Sequence, residues 1–231
     1  MFKRLLHFNE FLAYIPARKN SIRVKNKNIL RLGGKPLISY TLKAAKKSKY
    51  VNYIYISTDS KEVKKLVKKE KIKFYNFRKK KLSESKITMH ELLSGELNIL
   101  KNKFPKFKYI VLLQPTSPFR TEHDIDKSCK LFLKNIRKAN CLVSTTILNK
   151  SCDESKIMYS NGKYLQFKKN RNFKKKRLRN GPALMILKRD KFKKNLLSGK
   201  ILDFKMSKKK SIDINIKKDF DDAKKILKFF K

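Results

Sequence analysis

Cationic side chains follow the first apolar segment of the chain at close spacing. Residues 11–15 are apolar and predict a buried strand, and Pro16 ends this pattern because proline lacks the backbone donor of a central strand. The polar loop that follows carries Arg18, Lys19, Arg23, Lys25 and Lys27. Ligands of open α/β sheets bind beyond the carboxyl ends of the strands. A loop of this composition in this place indicates a binding site for a polyphosphate.

A second polar loop follows the apolar run at 108–113, which predicts a central strand. This loop carries Gln114, Thr116 and Ser117 between two prolines, and the prolines stiffen its backbone. Neutral hydrogen-bonding groups on a stiff loop suit a polyhydroxylated ligand. The alternative is a turn that only caps the next helix through Thr121.

The chain is strongly basic, with 62 lysines and arginines against 18 aspartates and glutamates, which gives a formal net charge of +44. Such a charge ordinarily suggests a nucleic-acid-binding protein. The lysines are spread over segments that include 61–73, 79–81, 168–176 and 208–210, and no basic recognition motif is present. We therefore attribute most of the charge to the codon usage of an AT-rich genome, with nucleic acid as a disfavoured partner. A positive field still raises the rate at which an anionic ligand binds.

Length, hydropathy and cysteine content bound the class of protein. At 231 residues, of which 40% are hydrophobic, the chain suits one globular domain over residues 1–231. No apolar run reaches the length of a membrane span, and polar residues interrupt the stretch 1–14, so that we expect no signal peptide. Cys129, Cys141 and Cys152 are odd in number and lack metal-ligand spacing. They indicate reduced thiols in a cytoplasmic protein without a membrane partner.

Alternating helical and strand patterns must position the polar loops. Helical spacing of apolar residues predicts helices at 36–47, 61–69, 90–100, 122–134, 189–197 and from 217 onwards. Short apolar runs predict strands at 11–15, 51–56, 72–75, 108–113, 139–147 and 184–187. Asp59 stands just before the second helix, where an N-cap is expected. The alternation predicts an α/β fold with a single doubly wound, mostly parallel sheet and an irregular basic excursion at about 148–179.

The two polar loops contain short motifs that resemble those of a known family, the acylneuraminate cytidylyltransferases. The first loop resembles their nucleotide-binding loop in Ile15-Pro16-Ala17-Arg18, in Ser21 and in Lys27-Asn28. The second loop, at 112–121, is similar to the family pattern L-L-Q-P-T-S-P-x-R-T. Residues 180–183 are similar to the family's N-G-P-A. The resemblance therefore covers nearly the whole chain.

The chain also departs from the family pattern at several positions. Lys19 and Asn20 replace two glycines, which restricts how the backbone bends around phosphates. Ile22 replaces a lysine, whose charge Arg23 could supply. Between Arg78 and Thr88, the family's S-D-T signature is replaced by Glu84, Ser85 and Lys86. In the family's S-I-D-I-D motif, Asn215 replaces the second aspartate and retains an oxygen ligand without its charge.

The resemblance implies a Rossmann-like, CTP-dependent cytidylyltransferase that activates a nonulosonic (sialic-type) acid and releases pyrophosphate. Arg18 and Lys27 would be catalytic and would neutralise the phosphates. The nucleotide-binding residues would be Ala17, Arg18, Ser21, Arg23, Lys27, Asn28, Arg78 and Thr88. The substrate-binding residues would be Gln114, Thr116, Ser117, Arg179, Asn180 and Gly181. Mg²⁺ would bind Asp213 and Asn215, and a homodimer would form through the excursion at 148–179.

Alternatives remain open at this stage. Arg78 could be one more surface cation. Arg177, like Arg179, could bind the carboxylate of the sugar, because arginine binds carboxylates bidentately. The replacements at Ile22 and Asn215 leave room for a degenerate relative that binds a ligand without catalysis. The net charge leaves a basic nucleic-acid-binding protein as a third class.

Overall fold

We describe the protein from a computed structural model, over residues 10–19, 21, 23–72, 74–147, 154–179, 183–192 and 195–230. The strands are β1 (Phe11–Pro16), β2 (Arg31–Leu32), β3 (Lys35–Pro36), β4 (Val51–Thr58), β5 (Phe74–Phe77), β6 (Tyr109–Leu112), β7 (Cys141–Thr146), β8 (Ile157–Ser160), β9 (Tyr164–Gln166), β10 (Lys175–Arg179), β11 (Met185–Lys188) and β12 (Ile201–Lys205). The helices are α1 (Leu37–Lys47), α2 (Lys61–Lys69), α3 (Lys80–Ser83), α4 (Met89–Lys103), α5 (Glu122–Lys134) and α6 (Lys217–Leu227).

A ten-stranded sheet has the order β10-β8-β9-β12-β7-β11-β6-β1-β4-β5, and β2 and β3 form a separate small hairpin. The half around β1 is parallel, because β1 pairs with β4 and β6, and β4 pairs with β5, in the same direction. In this register Pro16 lies beside Ser57, and Tyr14 lies beside Leu112. The carboxyl ends of β1, β4 and β6 therefore meet at one edge of the sheet, where the polar loops begin.

The other half of the sheet is largely antiparallel. The α/β class is confirmed, but the sheet is mixed and the prediction of a mostly parallel sheet is wrong. β11 runs antiparallel to both of its neighbours, β6 and β7. β8 pairs antiparallel with β9 and β10 inside the segment that was expected to be irregular. A short turn joins β8 to β9, and these two strands therefore run antiparallel. β10 then lies along the other edge of β8 and is antiparallel to it.

Residues 189–192 and 195–197, the described part of the helix expected at 189–197, form turns instead. Phe192 is buried, and Leu196 and Leu197 pack on the core from these turns, so that helical spacing arises without a helix. The strand that follows, β12, has no counterpart among the predicted strands. Asp203 lies at its centre, where a charged residue interrupts the apolar run by which a buried strand is recognised.

The side chains of β1 alternate between two layers of the core. Ala13 packs on one face of the sheet with Ile38 of α1 and Ile125 of α5. Tyr14 points to the opposite face, where Leu93 of α4 is buried. Complete burial of a leucine or isoleucine side chain stabilises a fold by about 1.5–3 kcal/mol. The two layers therefore hold β1 firmly at the edge from which the first polar loop emerges.

Other sequence-based expectations concern thiols, membranes and assembly. Cys129 and Cys141 are free and buried, and burial raises the pKa of the Cys141 thiol to about 12. Cys152 lies outside the described residues. Within the described ranges, the structure has no helix that is both long enough and apolar enough to span a bilayer. Dimerisation through 148–179 stays a prediction.

Candidate functional site

A cavity of about 280 Å³ opens at the carboxyl edge of the parallel strands. It brings together residues that the sequence places far apart, from both polar loops, from the segment after β5 and from the segment before α6. Of the residues predicted to bind a ligand, its lining includes Arg18, Ser21, Arg23, Lys27, Asn28, Arg78, Thr88, Gln114, Thr116 and Asn215. Glu84 and Ser85, which replace part of the S-D-T signature, also line it.

Buried hydrogen bonds anchor the first polar loop. The Asn28 side chain is buried, and its Nδ2 donates to the carbonyl oxygen of Arg18 at 2.9 Å. The Thr58 hydroxyl donates to the carbonyl oxygen of Ala17 at 2.6 Å. Ala17 is itself completely buried and does not line the cavity. Ala17 and Asn28 thus hold the backbone that presents the Arg18 side chain.

Asp59 also anchors this loop, and the expectation that it caps α2 is wrong. Its Oδ1 accepts a 2.6 Å hydrogen bond from the backbone nitrogen of Lys19. The N-cap of α2 is Ser60, whose side chain accepts from the backbone nitrogen of Val63. Because Ser60 caps the helix, the Asp59 carboxylate is available to accept the hydrogen bond from the first polar loop.

Ile214 joins three segments at the side of the cavity. The Lys27 ammonium donates to the carbonyl oxygen of Ile214 at 2.7 Å, and the Ile214 backbone nitrogen donates to the carbonyl oxygen of Thr116 at 2.9 Å. Burial lowers the pKa of Lys27, and the nearby Asp213 carboxylate opposes this effect. A lysine ammonium has three donors, so one bond to Ile214 leaves others for a ligand.

Asp213 and Asn215 were predicted to hold a metal ion, and only Asn215 lines the cavity. The Asn215 Nδ2 donates to Asp213 Oδ2 at 2.8 Å, and Lys156 Nζ lies 3.9 Å from the same oxygen. Asp213 Oδ1 is buried and has no hydrogen-bond partner among the described residues. No group of three or more histidine, cysteine, aspartate or glutamate side chains suited to a metal occurs in the described ranges. One buried carboxylate oxygen beside an amide therefore fits a weak oxygen site for a hard cation.

The second polar loop lines the cavity through Gln114 and Thr116, and Thr116 Oγ1 is buried without a hydrogen-bond partner in the described part of the chain. Ser117 is completely buried and does not reach the cavity. Thr121 and Asp124 form a capping box at the start of α5. The loop therefore lines the cavity, as expected of a ligand-binding loop, and it also caps the next helix through Thr121.

Arg120 belongs to the second-loop motif and received no role from the sequence. Its side chain is only 2% exposed. It donates to the carbonyl oxygen of Ala183 and, at 2.8 Å, to the hydroxyl of Thr41 in α1. Arg120 thus clamps the loop between α1 and the segment that precedes β11.

Arg78 is 5% exposed and lines the cavity, so the alternative of a surface cation is wrong. Its Nε and Nη2 each donate at 2.9 Å to Ser57, to the hydroxyl and to the carbonyl oxygen respectively. Thr88 lines the cavity at the start of α4, and its hydroxyl accepts from the backbone nitrogen of Glu91 in a capping box. Part of the hydrogen-bonding capacity of Thr88 is thus used by the helix.

Beneath Arg78 lies Glu96, a buried carboxylate that received no role from the sequence. It accepts hydrogen bonds from the hydroxyls of Tyr14 at 2.7 Å and Ser57 at 2.8 Å, and from the amide of Asn76 at 3.2 Å. Burial, together with Glu96, raises the pKa of Tyr14 well above its ordinary value. Glu96 shares the apolar face of α4 with leucines, and a charge on such a face is the signal that could have revealed it.

The remaining predicted residues lie elsewhere. Arg177 is buried, donates to the Thr145 hydroxyl at 3.0 Å and lies 3.7 Å from the Asp203 carboxylate. Arg177 therefore pairs with Asp203 and does not line the cavity, which counts against the possibility that it binds the carboxylate of the sugar. Arg179 ends β10 and does not line the cavity. Asn180 and Gly181 lie outside the described residues.

The similarity of the chain to a known protein family identifies the kind of site. The family model described as cytidylyltransferase matches residues 12–228, which is nearly the whole chain. The chain belongs to the cytidylyltransferase family. Within this family, its relatives include an N-acylneuraminate cytidylyltransferase of Escherichia coli, 30% identical over 92% of this chain and 51% of the relative. They also include a CMP-N,N'-diacetyllegionaminic acid synthase of Legionella pneumophila, 36% identical over 49% of each chain.

A solved structure shares the fold of this cytidylyltransferase family member. It is a CMP:2-keto-3-deoxy-manno-octonic acid synthetase complexed with CTP, with a TM-score of 0.73 and 14% identity. The similarity covers 96% of this chain and all of the other. The chain spans about half the length of the curated relatives it matches. The resemblance to the acylneuraminate cytidylyltransferases, drawn from the motifs of the two polar loops, is confirmed.

Proposed function

We propose that the protein transfers CMP from CTP to a nonulosonic (sialic-type) acid and releases pyrophosphate. The observation that carries this proposal is that Arg18, Arg23 and Lys27 line the same cavity as Gln114 and Thr116. The cations suit a triphosphate, and the neutral polar groups suit a sugar. The names of the relatives, which act on N-acylneuraminate or legionaminic acid, point to the same class of substrate.

In the proposed reaction, the anomeric hydroxyl oxygen of the sugar acid attacks the α-phosphorus of CTP. The new phosphorus–oxygen bond forms as the bond to the β-phosphate oxygen breaks, and the hydroxyl proton passes to solvent. Negative charge accumulates on the leaving pyrophosphate, and Arg18 and Lys27 neutralise it from the first loop. Catalysis of this kind is mainly the placement of two reactants and the stabilisation of developing charge.

The chain's own residues would also hold Mg²⁺. Asp213 supplies a buried carboxylate oxygen without a partner in the described chain, and Asn215 supplies an amide oxygen after rotation of its side chain. When bound, Mg²⁺ neutralises phosphate charge. With one carboxylate, we expect the ion to bind chiefly together with the phosphates of CTP, because Mg²⁺ usually relies on one or two carboxylates and the substrate.

The second loop would orient the sugar acid. Thr116 presents a buried hydroxyl that has no partner in the described structure, and leaving such a group unpaired costs about 1–3 kcal/mol. A hydroxyl of the substrate would satisfy it. Gln114 follows β6 by two residues, lines the same cavity as Thr116 and offers a second neutral group.

Pyrophosphate release tests the proposal directly. The protein is incubated with CTP, Mg²⁺ and a panel of N-acetylneuraminic, legionaminic and pseudaminic acids, and reactions without sugar or with UTP in place of CTP serve as controls. We expect release that requires both the sugar acid and CTP. Calorimetry of CTP binding separates the alternatives. Binding without release for any acid at any Mg²⁺ concentration would identify a non-catalytic relative, and absence of CTP binding would refute the proposal.

A further inference from the structure

Glu96 places a negative charge beneath the basic cavity. Its side chain is completely buried between α4 and the strands β1, β4 and β5. A buried carboxylate is costly unless hydrogen bonds and a nearby cation compensate it. Three neutral donors, Tyr14, Ser57 and Asn76, surround it. The compensating cation is the guanidinium of Arg78, which lies beyond Ser57 and donates to its hydroxyl.

The direction of the hydrogen bonds links Glu96 to Arg78. A serine hydroxyl has a single proton, and an ionised carboxylate can only accept. Because Ser57 donates that proton to Glu96 Oε1, its oxygen must accept from Arg78 Nε, at 2.9 Å. A second bond runs from Arg78 Nη2 to the Ser57 carbonyl oxygen, also at 2.9 Å. Glu96 therefore fixes the orientation of the hydroxyl that receives the guanidinium.

The geometry leaves one nitrogen of Arg78 for a ligand. Nε and Nη2 are both used by Ser57, while Nη1 makes no hydrogen bond to any described residue. The Arg78 side chain lines the cavity. A guanidinium is planar, so two bonds on one edge define the direction of the remaining nitrogen.

We propose that Glu96 is a positioning residue for nucleotide binding, which acts through Ser57 to hold Arg78 Nη1 toward an acceptor atom of the bound nucleotide. The inference rests on the proposed function in that it takes CTP as the ligand. A residue that only stabilises the core would affect folding without a specific effect on Arg78. The effect of Glu96 on affinity therefore has to disappear when Arg78 is absent.

The first experiment measures the dissociation constant of CTP with Mg²⁺ by calorimetry. Glu96→Leu removes the acceptor of Ser57 and should weaken CTP binding about tenfold, the loss expected for one misdirected charged hydrogen bond. Glu96→Gln retains an oxygen toward Ser57 and should recover most of the affinity. Arg78→Ala should weaken binding at least as much, and the double variant Glu96→Leu/Arg78→Ala should be no weaker than Arg78→Ala alone.

Tyr14→Phe is the matched control. It removes a hydrogen bond from the other oxygen of the same carboxylate, Glu96 Oε2, and keeps both groups of the link under test, the Ser57 bond to Oε1 and the Arg78 bond to Ser57. We expect its CTP affinity to stay within about twofold of the wild type, even though one buried hydrogen bond is lost. Ser57→Ala replaces Glu96→Leu if the leucine variant does not fold, because it breaks the same link and leaves the carboxylate two donors.

The second experiment needs no ligand. In ¹⁵N–¹H spectra the Arg78 Nε–H signal should exchange slowly with water in the wild type, in Tyr14→Phe and in Glu96→Gln. It should exchange rapidly in Glu96→Leu. An unchanged signal in Glu96→Leu, or additive losses of CTP affinity in the double variant, would overturn the inference. A wild type that does not bind CTP refutes the proposed function, and the Nε–H signal then decides alone whether Glu96 holds Arg78.

Discussion

Replacement of Arg18 by alanine tests the polyphosphate site at a position with a matched neighbour. Arg18 lines the cavity, whereas Lys19 is exposed and does not. Lys19→Ala removes the same formal charge one residue away. Both variants keep the anchors of the loop, since Asn28 bonds the backbone carbonyl of Arg18 and Asp59 bonds the backbone nitrogen of Lys19. The difference between the two variants therefore reports the contact of the Arg18 side chain.

The size of the effect follows from electrostatics. A unit charge about 4 Å from a phosphate charge interacts by about 4 kcal/mol at an effective dielectric constant of about 20. Arg18 is half-buried, so solvent screens part of this energy, and only the part that grows as pyrophosphate leaves lowers the barrier. We expect a loss of about 3 kcal/mol, which is roughly a hundredfold in rate. Lys19→Ala alters only the field of a chain with net charge +44, and its effect should be about twofold or less.

Pyrophosphate release under saturating Mg²⁺ gives kcat/KM for both variants, at low and at moderate ionic strength. The loss in Arg18→Ala should persist as salt is added, because a contact inside the cavity is screened less than a surface charge. Any loss in Lys19→Ala should shrink with added salt. Equal losses in the two variants, or wild-type turnover in Arg18→Ala, would refute the assignment of Arg18 to the phosphates.

Three further variants test other parts of the site. Gln114→Ala should raise the KM of the sugar acid about tenfold and leave the calorimetric affinity for CTP unchanged, because Gln114 follows a different strand from the phosphate loop. A large loss of CTP affinity would show that Gln114 binds the nucleotide and not the sugar acid. Asn215→Asp should lower the Mg²⁺ concentration that gives half-maximal activity, and Asp213→Asn should nearly abolish activity. If Asn215→Asp leaves the Mg²⁺ titration unchanged, position 215 is not part of the metal site. Arg120→Met should lower the free energy of unfolding in urea by about 3 kcal/mol, because buried acceptors lose their donor; a loss under about 1 kcal/mol would contradict the clamp.

The parallel half of the fold could be predicted from the sequence because its strands are continuous apolar runs. β1, for example, is buried on both faces of the sheet and has five consecutive buried residues. The second half could not be predicted in the same way. β12 contains the charged residue Asp203, and β10 lies in a basic segment that includes the buried Arg177. These two buried charges compensate each other only after the strands have come together.

The residues of the candidate site also fall into two groups, those that could be predicted from the sequence and those that could not. Arg18, Lys27 and Gln114 were predicted, because motifs and strand ends mark them in the sequence. The carbonyl oxygen of Ile214 could not be predicted, since a backbone group leaves no trace in residue type. Glu96 was missed for another reason, because the donors that make its burial tolerable come from three different strands.

The junction at Ile214 has a consequence for the order in which the molecule folds. Its bond to Lys27 connects residues separated by 187 positions, and its bond to Thr116 connects segments on opposite sides of α5 in the sequence. Contacts between distant segments form slowly, because the entropy of loop closure is lost before they stabilise the chain. We therefore expect Lys27 to form its bond to Ile214 only after the strands that follow β6 have assembled. During refolding, helical content should return before the ability to bind a triphosphate, with the closing contact at Ile214 among the last to form.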